Sequence, residues 1–234
     1  MDQVLTNLSF ADLSFPSPSI ALTEPNGLLA VGGDLSPQRL INAYTTGIFP
    51  WFSDGDPLLW WSPNPRAIIN IDDLIINRSL KKFLRKSPYT VSINKCFTRV
   101  INICADAPFR SEDTWILDDM IDAYIQLHTL GFAHSVEVWQ DEQLVGGLYG
   151  VAINGLFSGE SMFYLKDNAS KVALIALANL LKNQGIEFID CQLQNPFLKN
   201  MGAVEISRDK FLALKDVAIQ QQMSDNFWQA RMIG

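Results

Sequence analysis

His134-Ser-Val-Glu-Val-Trp-Gln140, Leu144-Val-Gly-Gly-Leu-Tyr-Gly-Val-Ala-Ile153, Leu156-Phe-Ser-Gly-Glu-Ser-Met-Phe163, then Asn168-Ala-Ser-Lys-Val-Ala-Leu-Ile-Ala-Leu-Ala-Asn-Leu-Leu-Lys-Asn183 and Glu187-Phe-Ile-Asp-Cys-Gln-Leu193 are the runs that decide the fold. The first three are short and rich in β-branched and aromatic residues, as strands are. Asp141-Glu142-Gln143 between the first two is hairpin-like. The fourth run is apolar nearly all round (Val172, Leu174, Ile175, Leu177, Leu180, Leu181), which fits a buried helix. Asn168 is its expected cap and Gly185 its expected stop. The last run is an apolar strand carrying two polar residues, Asp190 and Gln192.

Antiparallel strands leading into a buried helix and a further strand point to a mixed α/β (α+β) chain with an acetyltransferase-like (GNAT-type) sheet. Working outward, residues 118–130 read as a helix ending at Gly131, and a helix and closing strand follow residue 193. Upstream, residues 67–105 read as a strand, a basic helix and a further strand–helix segment. The first 65 or so residues are broken by Pro16, Pro18, Pro25, Gly27, Gly32, Gly33 and Pro37. One helix is expected there, capped by Ser36, opened by Pro37 and ending near Gly47. A boundary near residue 110 is expected, giving a small N-terminal domain (1–110) and a larger C-terminal one (111–234).

The chain is 234 residues long with a net charge of −7, three cysteines and two histidines. Cys96, Cys104 and Cys191 form no CxxC pair and no disulfide framework, so neither zinc nor an oxidising compartment is indicated. No charge-free run of membrane-spanning length occurs, and Met1-Asp2-Gln3-Val4 lacks a secretory pattern. A cytoplasmic location without membrane contact is expected. The charge is segregated. Residues 74–105 hold seven basic side chains and no acid, while the rest of the chain holds the other eleven against all 25 acids. Within the island, Arg78, Lys81, Lys82, Arg85 and Lys86 share one helical stripe, opposite Leu80, Phe83 and Leu84. Two readings are open, a solvated helix face or an anion-binding one. Five like charges lacking i,i+4 compensation favour the second.

Several blocks carry a specific resemblance: Glu24-Pro-Asn-Gly-Leu-Leu-Ala-Val-Gly-Gly-Asp-Leu-Ser-Pro37, Gly47-Ile-Phe-Pro-Trp-Phe52, Leu59-Trp-Trp-Ser-Pro-Asn-Pro-Arg66, Gly159-Glu-Ser-Met-Phe163, Ala169-Ser-Lys171 and Ile189-Asp-Cys-Gln192. In this order and spacing, from about residue 15 to 228, the chain resembles the leucyl/phenylalanyl-tRNA–protein transferase family. The resemblance implies transfer of Leu, Phe and, weakly, Met from aminoacyl-tRNA to proteins with N-terminal Arg or Lys, marking them for degradation. It implies no cofactor and no metal. The alternatives are an acyl-CoA-dependent N-acetyltransferase and a non-catalytic tRNA-binding protein. Against the former, Tyr164-Leu-Lys-Asp-Asn-Ala-Ser170 has no glycine for a phosphate loop and carries Asp167.

On a regular strand Asp190 and Gln192 share one face and Cys191 takes the other. A solvent-facing pair is the plain reading, but the apolar strand around them favours a site. The family's catalytic pair falls on Asp190 and Gln192, and Cys191 reads as core. Glu160 is either salt-bridged or, by family carry-over, a holder of the cationic acceptor. Resemblance places the aminoacyl pocket at Trp51, Trp115, Leu148, Phe157, Leu174, Leu177 and Ile189, of which the plain reading is core. It assigns tRNA phosphates to Arg78, Lys81, Lys82, Arg85 and Lys86. Trp60 and Trp61 are candidates for stacking on the terminal adenosine or for packing. Leu148 and Leu177 depart from the family's usual Met and Phe, and Phe197 from its usual His.

Overall fold

The computed structural model describes residues 5–106 and 115–233. In chain order its elements are β1 (Thr6–Leu8), β2 (Leu28–Gly32), α1 (Pro37–Thr45), β3 (Phe49–Pro50), β4 (Leu59–Trp61), β5 (Arg66–Asn70), α2 (Arg78–Leu84), β6 (Thr90–Ile93) and α3 (Phe97–Ala105). Then follow α4 (Asp118–Thr129), β7 (Ala133–Gln140), β8 (Gln143–Ile153), β9 (Leu156–Tyr164), α5 (Ala169–Lys182), β10 (Phe188–Gln192), α6 (Pro196–Asn200), β11 (Val204–Ile206), α7 (Arg208–Ala218) and β12 (Arg231–Ile233). The mixed α/β architecture is the expected one.

A four-stranded sheet runs β1-β2-β4-β3, and an eight-stranded sheet runs β11-β5-β10-β9-β8-β7-β6-β12. In the large sheet every neighbouring pair is antiparallel except β9–β10. The β7–β8 hairpin closes through Asp141 and Glu142, both at positive φ (49° and 64°). That is the two-residue turn whose twist matches the flanking strands. Asn154-Gly155 makes the equally short β8–β9 turn, with Ile153 opposite Leu156.

The domain boundary expected near residue 110 lies outside the described residues. Strands from both sides of it share the large sheet, since β5 and β6 precede residue 110 and pair with β10 and β7. One apolar core likewise joins Leu29, Leu40 and Trp60 of the N-terminal part to Met120, Tyr149 and Phe163. On the opposite face of the sheet, Val136, Val138 and Leu148 pack against α5. Its buried Val172, Leu174, Ile175, Leu177 and Leu181 each contribute about 1.5–3 kcal/mol of transfer free energy. Two expected caps are not used. Ser36 makes no cap bond, and its own N–H is bound by Asp34 Oδ1 at 2.8 Å. Asn168 adopts a left-handed φ of 62°, and its side chain caps nothing at α5. Asn77, in contrast, caps α2 by accepting the Leu80 N–H at 2.8 Å.

Candidate active site

The pairing of β9 with β10 lasts only from Ile189/Phe157 to Asp190/Ser158. Beyond it β9 continues to Tyr164 while β10 ends, so the sheet opens at the carboxyl ends of its one parallel pair. Open α/β sheets place ligands at such points. A cavity of about 540 Å³ occupies this opening. Its apolar wall includes Leu148, Phe157, Leu174, Leu177 and Ile189, with Trp115 beside them, and Glu160 and Gln192 supply polar groups. Six of the seven expected pocket residues thus line one space. Trp51 does not. It is 40% exposed and lies tilted against Trp61, whose indole N–H donates to the Trp51 carbonyl at 2.6 Å. Met162, Ser170, Cys191, Phe197 and Leu198 also line the cavity, and nothing in the local sequence marks them as wall residues.

The strand rule fails at the end of β10. Register slips between Asp190 and Gln192, and Gln192 has a φ of +55°. The bulge turns Gln192 to the cavity side with Cys191, while Asp190 is left on the opposite face. Cys191 is therefore a wall residue as well as a buried one, and burial pushes its thiol far above the ordinary range. Asp190 is fully buried, and all its acceptor positions are occupied. Oδ1 accepts Arg66 Nε–H at 2.8 Å and the Gln192 N–H at 3.1 Å; Oδ2 accepts Arg66 Nη2–H and Ser158 Oγ–H, each at 2.8 Å. Arg66 is as buried as its partner, and its flat guanidinium lies against the rings of Phe49 and Phe211. A charge-assisted bidentate pair of this kind fixes geometry as well as energy. The sequence signal for Arg66 is a lone cation opening an apolar strand, Arg66-Ala-Ile-Ile.

Glu160 stands at the slip in the β8–β9 register. Its Oε1 accepts Tyr44 Oη–H at 2.8 Å and the Gln192 side-chain amide at 3.3 Å, and its Oε2 accepts Tyr124 Oη–H at 3.2 Å. The two tyrosine hydroxyls are also in hydrogen-bond contact with each other; each phenol has one proton, so one of them divides it between Glu160 and its neighbour. No lysine or arginine pairs with Glu160 among the described residues, so the salt-bridged reading is not the one realised. Burial raises its pKa to about 7, with the Asp190 charge adding to the rise and the tyrosine bonds opposing it. Burial also raises both tyrosines well above their usual range. Tyr44 and Tyr124 lie on the apolar stripes of α1 and α4. The one clue to their role is that a buried phenol needs a hydrogen-bond partner.

On α2, Leu80 is buried and Phe83 and Leu84 are half-buried, while Arg78, Lys81 and Lys82 on the helix and Arg85 and Lys86 in the turn that ends it are exposed and make no ion pair among the described residues. Tyr89, after this helix, packs on Phe83 and donates to the Asp167 carbonyl at 3.0 Å. The basic face is thereby tied to the start of α5, beside the cavity. Trp60 is fully buried and donates to the Gly32 carbonyl at 2.9 Å, so it packs and is closed to a stacking base. No helix of the described residues is long and apolar enough to cross a membrane. No group of three or more His, Cys, Asp or Glu side chains among them could hold a metal.

Fold and site together define a mixed α/β protein with an apolar ligand cavity at a splayed parallel pair, polar at one wall. Residues 68–216 match the family model described as leucyl/phenylalanyl-tRNA protein transferase, and residues 33–64 match that of the same protein's N-terminal domain. The chain belongs to the leucyl/phenylalanyl-tRNA–protein transferase family. It is 60% identical to the protein of that name from Colwellia psychrerythraea, covering 100% of this chain and 99% of that one. With the Idiomarina loihiensis protein of the same name identity is 53%, covering 97% of each. A solved structure of L-PGS from Bacillus licheniformis overlays with a TM-score of 0.38 at 16% identity, over 64% of this chain and 48% of that one.

Proposed function

We propose that this chain transfers Leu, Phe and, weakly, Met from aminoacyl-tRNA onto the N-terminal Arg or Lys of proteins, marking them for degradation in the cytoplasm. The observation that carries the reading is the 60% identity, over the whole chain, to a protein whose name gives leucyl- and phenylalanyl-tRNA as donors and a protein as acceptor. In this reading the donor's side chain fills the cavity between Leu148, Leu174, Leu177 and Ile189, with Phe157 and Trp115 closing it. An apolar pocket of this kind accepts Leu, Phe and Met and discriminates among them by only about 1–3 kcal/mol per group.

The donor ester carbon then sits by Gln192. The acceptor α-amine attacks it, and a C–N bond forms as the C–O bond to the ribose 3′-oxygen breaks. The amine loses one proton and the ribose oxygen gains one, so the transfer balances without an external acid or base. An α-amine with a pKa of roughly 7.7–8.0 is partly neutral at pH 7, so positioning matters more than a strong base. The Gln192 amide donates to Glu160, which leaves its carbonyl oxygen to accept an N–H of the attacking amine. Asp190 is a positioning residue. With every acceptor position filled it has no lone pair to take the proton, and it holds Gln192 through the main-chain N–H. Glu160 receives the cationic acceptor terminus, and the exposed cations of α2 receive RNA phosphates in a sequence-tolerant way.

The test is transfer of radiolabelled Leu from Leu-tRNA to a peptide with N-terminal Arg, beside one with N-terminal Ala. Label on the Arg peptide alone is expected. Label on neither, or on both equally, contradicts the reading.

A further inference from the structure

Along α5, Ser170, Leu174 and Leu177 fall at i, i+4 and i+7, and all three line the cavity. Two are apolar and one is not. Ser170 is 5% exposed, and its hydroxyl has no hydrogen-bond partner among the described residues. That hydroxyl opens on the cavity, where a bound acceptor can take the proton it offers. It stands in the first turn of a fourteen-residue helix. The main-chain N–H groups there are also unclaimed. Ala169 N–H bonds the Lys166 carbonyl and Val172 N–H bonds the Asn168 carbonyl, but Ser170 and Lys171 N–H bond nothing among the described residues. Asn168, left-handed, offers no cap.

Three donors thus stand unclaimed in the first turn of one helix, where the aligned peptide dipoles favour an anion. The surroundings agree. Lys166 and Lys171 flank the turn, and the Tyr89–Asp167 bond ties it to the basic helix. The Asp167 carboxylate, exposed in the same turn, opposes them.

We propose that the first turn of α5, through Ser170 Oγ–H and the Ser170 and Lys171 N–H groups, is the subsite for the phosphodiester of the donor RNA's terminal nucleotide. This rests on the reading of the cavity as the aminoacyl site. A side chain held against Leu174 and Leu177 brings the nucleotide attached to it within reach of the N-terminal end of the same helix. Two main-chain donors and one hydroxyl match a single phosphate and are too few for the pyrophosphate of a coenzyme.

The test uses two non-hydrolysable donors, 3′-deoxy-3′-(leucylamino)adenosine and its 5′-monophosphate, as competitors of Leu-tRNA. In the wild type the phosphate should tighten binding about tenfold, the ordinary worth of a charge-assisted hydrogen bond or two. In Ser170→Ala that factor, read as the ratio of the two compounds' affinities within the one variant, should shrink to about twofold. Asp167→Asn should enlarge the phosphate factor about threefold by removing the opposing charge. A phosphate factor that neither substitution alters overturns the subsite. If the nucleoside competes and its phosphate adds nothing, the subsite falls and the donor reading stands. If neither compound competes with Leu-tRNA in the wild type, the donor reading falls and takes the subsite with it.

Discussion

Replacing Asp190 with Ala should cost the fold more than it costs the chemistry directly. The substitution leaves the Arg66 guanidinium 1% exposed, with only the Gly47 carbonyl at 3.3 Å and two aromatic faces for company. Breaking a buried pair from one side typically costs about 3–5 kcal/mol, because the surviving charge stays desolvated. For a chain of this size each kcal/mol lowers Tm by about 2–4 °C, so a fall on the order of 10 °C is expected. Thermal and urea unfolding of Asp190→Ala beside the wild type would measure it. Removing both charges in Arg66→Met/Asp190→Leu should recover most of the loss, since no ion is then buried alone. At a temperature where Asp190→Ala remains folded, kcat should drop because Gln192 is no longer held. The pH–rate profile should keep its shape, because Asp190 exchanges no proton with substrate. A Tm within 2 °C of wild type would refute the structural reasoning. An acidic limb lost from the profile would restore Asp190 as a proton carrier.

Glu160, with its pKa near 7, is largely protonated in mildly acid solution and ionised in mildly alkaline. The KM for an N-terminal Arg peptide should therefore fall as pH rises through about 7, and Glu160→Gln should flatten that dependence; steady-state kinetics from pH 6 to 8.5 would show it. Because the folded pKa is raised, the stability this group contributes is full below its unfolded value and is lost as pH rises through about 7. Glu160→Gln should accordingly lose less urea stability than the wild type between pH 6 and 8. Leu177→Phe fills part of the cavity and should shift donor preference from Phe towards Leu by about tenfold, read as the ratio of kcat/KM values in competition. Lys81→Glu/Arg85→Glu should weaken tRNA binding by filter assay and flatten its logarithmic salt dependence by about two. The peptide KM should stay unchanged in that variant.

The sheet and its buried helix were legible because their signals are local. Hairpin residues, a helix apolar on every side and a terminal glycine need no tertiary knowledge. Segregated charge on α2 was equally plain, since i, i+3 and i+4 spacing puts Arg78, Lys81 and Lys82 on one face. The strand end was not legible. Period-two reasoning placed Asp190 and Gln192 together, and a bulge separated them. Nothing in Ile-Asp-Cys-Gln announces a bulge, and only the partner strand reveals it. The partners of the polar groups were equally hidden. Arg66 meets Asp190 across 124 positions of chain, and Tyr44 meets Glu160 across 116. The pocket residues were found through resemblance, and the plain reading of Leu174 or Leu177 as core describes their burial correctly. What distinguishes core from cavity wall is an absence of atoms on one side, which no residue type encodes.

A structure of the enzyme bound to 3′-deoxy-3′-(leucylamino)adenosine would test the central claim most directly. The account predicts the leucyl side chain within about 4 Å of Leu148, Leu174, Leu177 and Ile189. It also places the carbonyl carbon beside the Gln192 amide, with Asp190 still paired to Arg66. A leucyl group bound elsewhere, with the cavity filled by solvent or by the adenine ring, would contradict it.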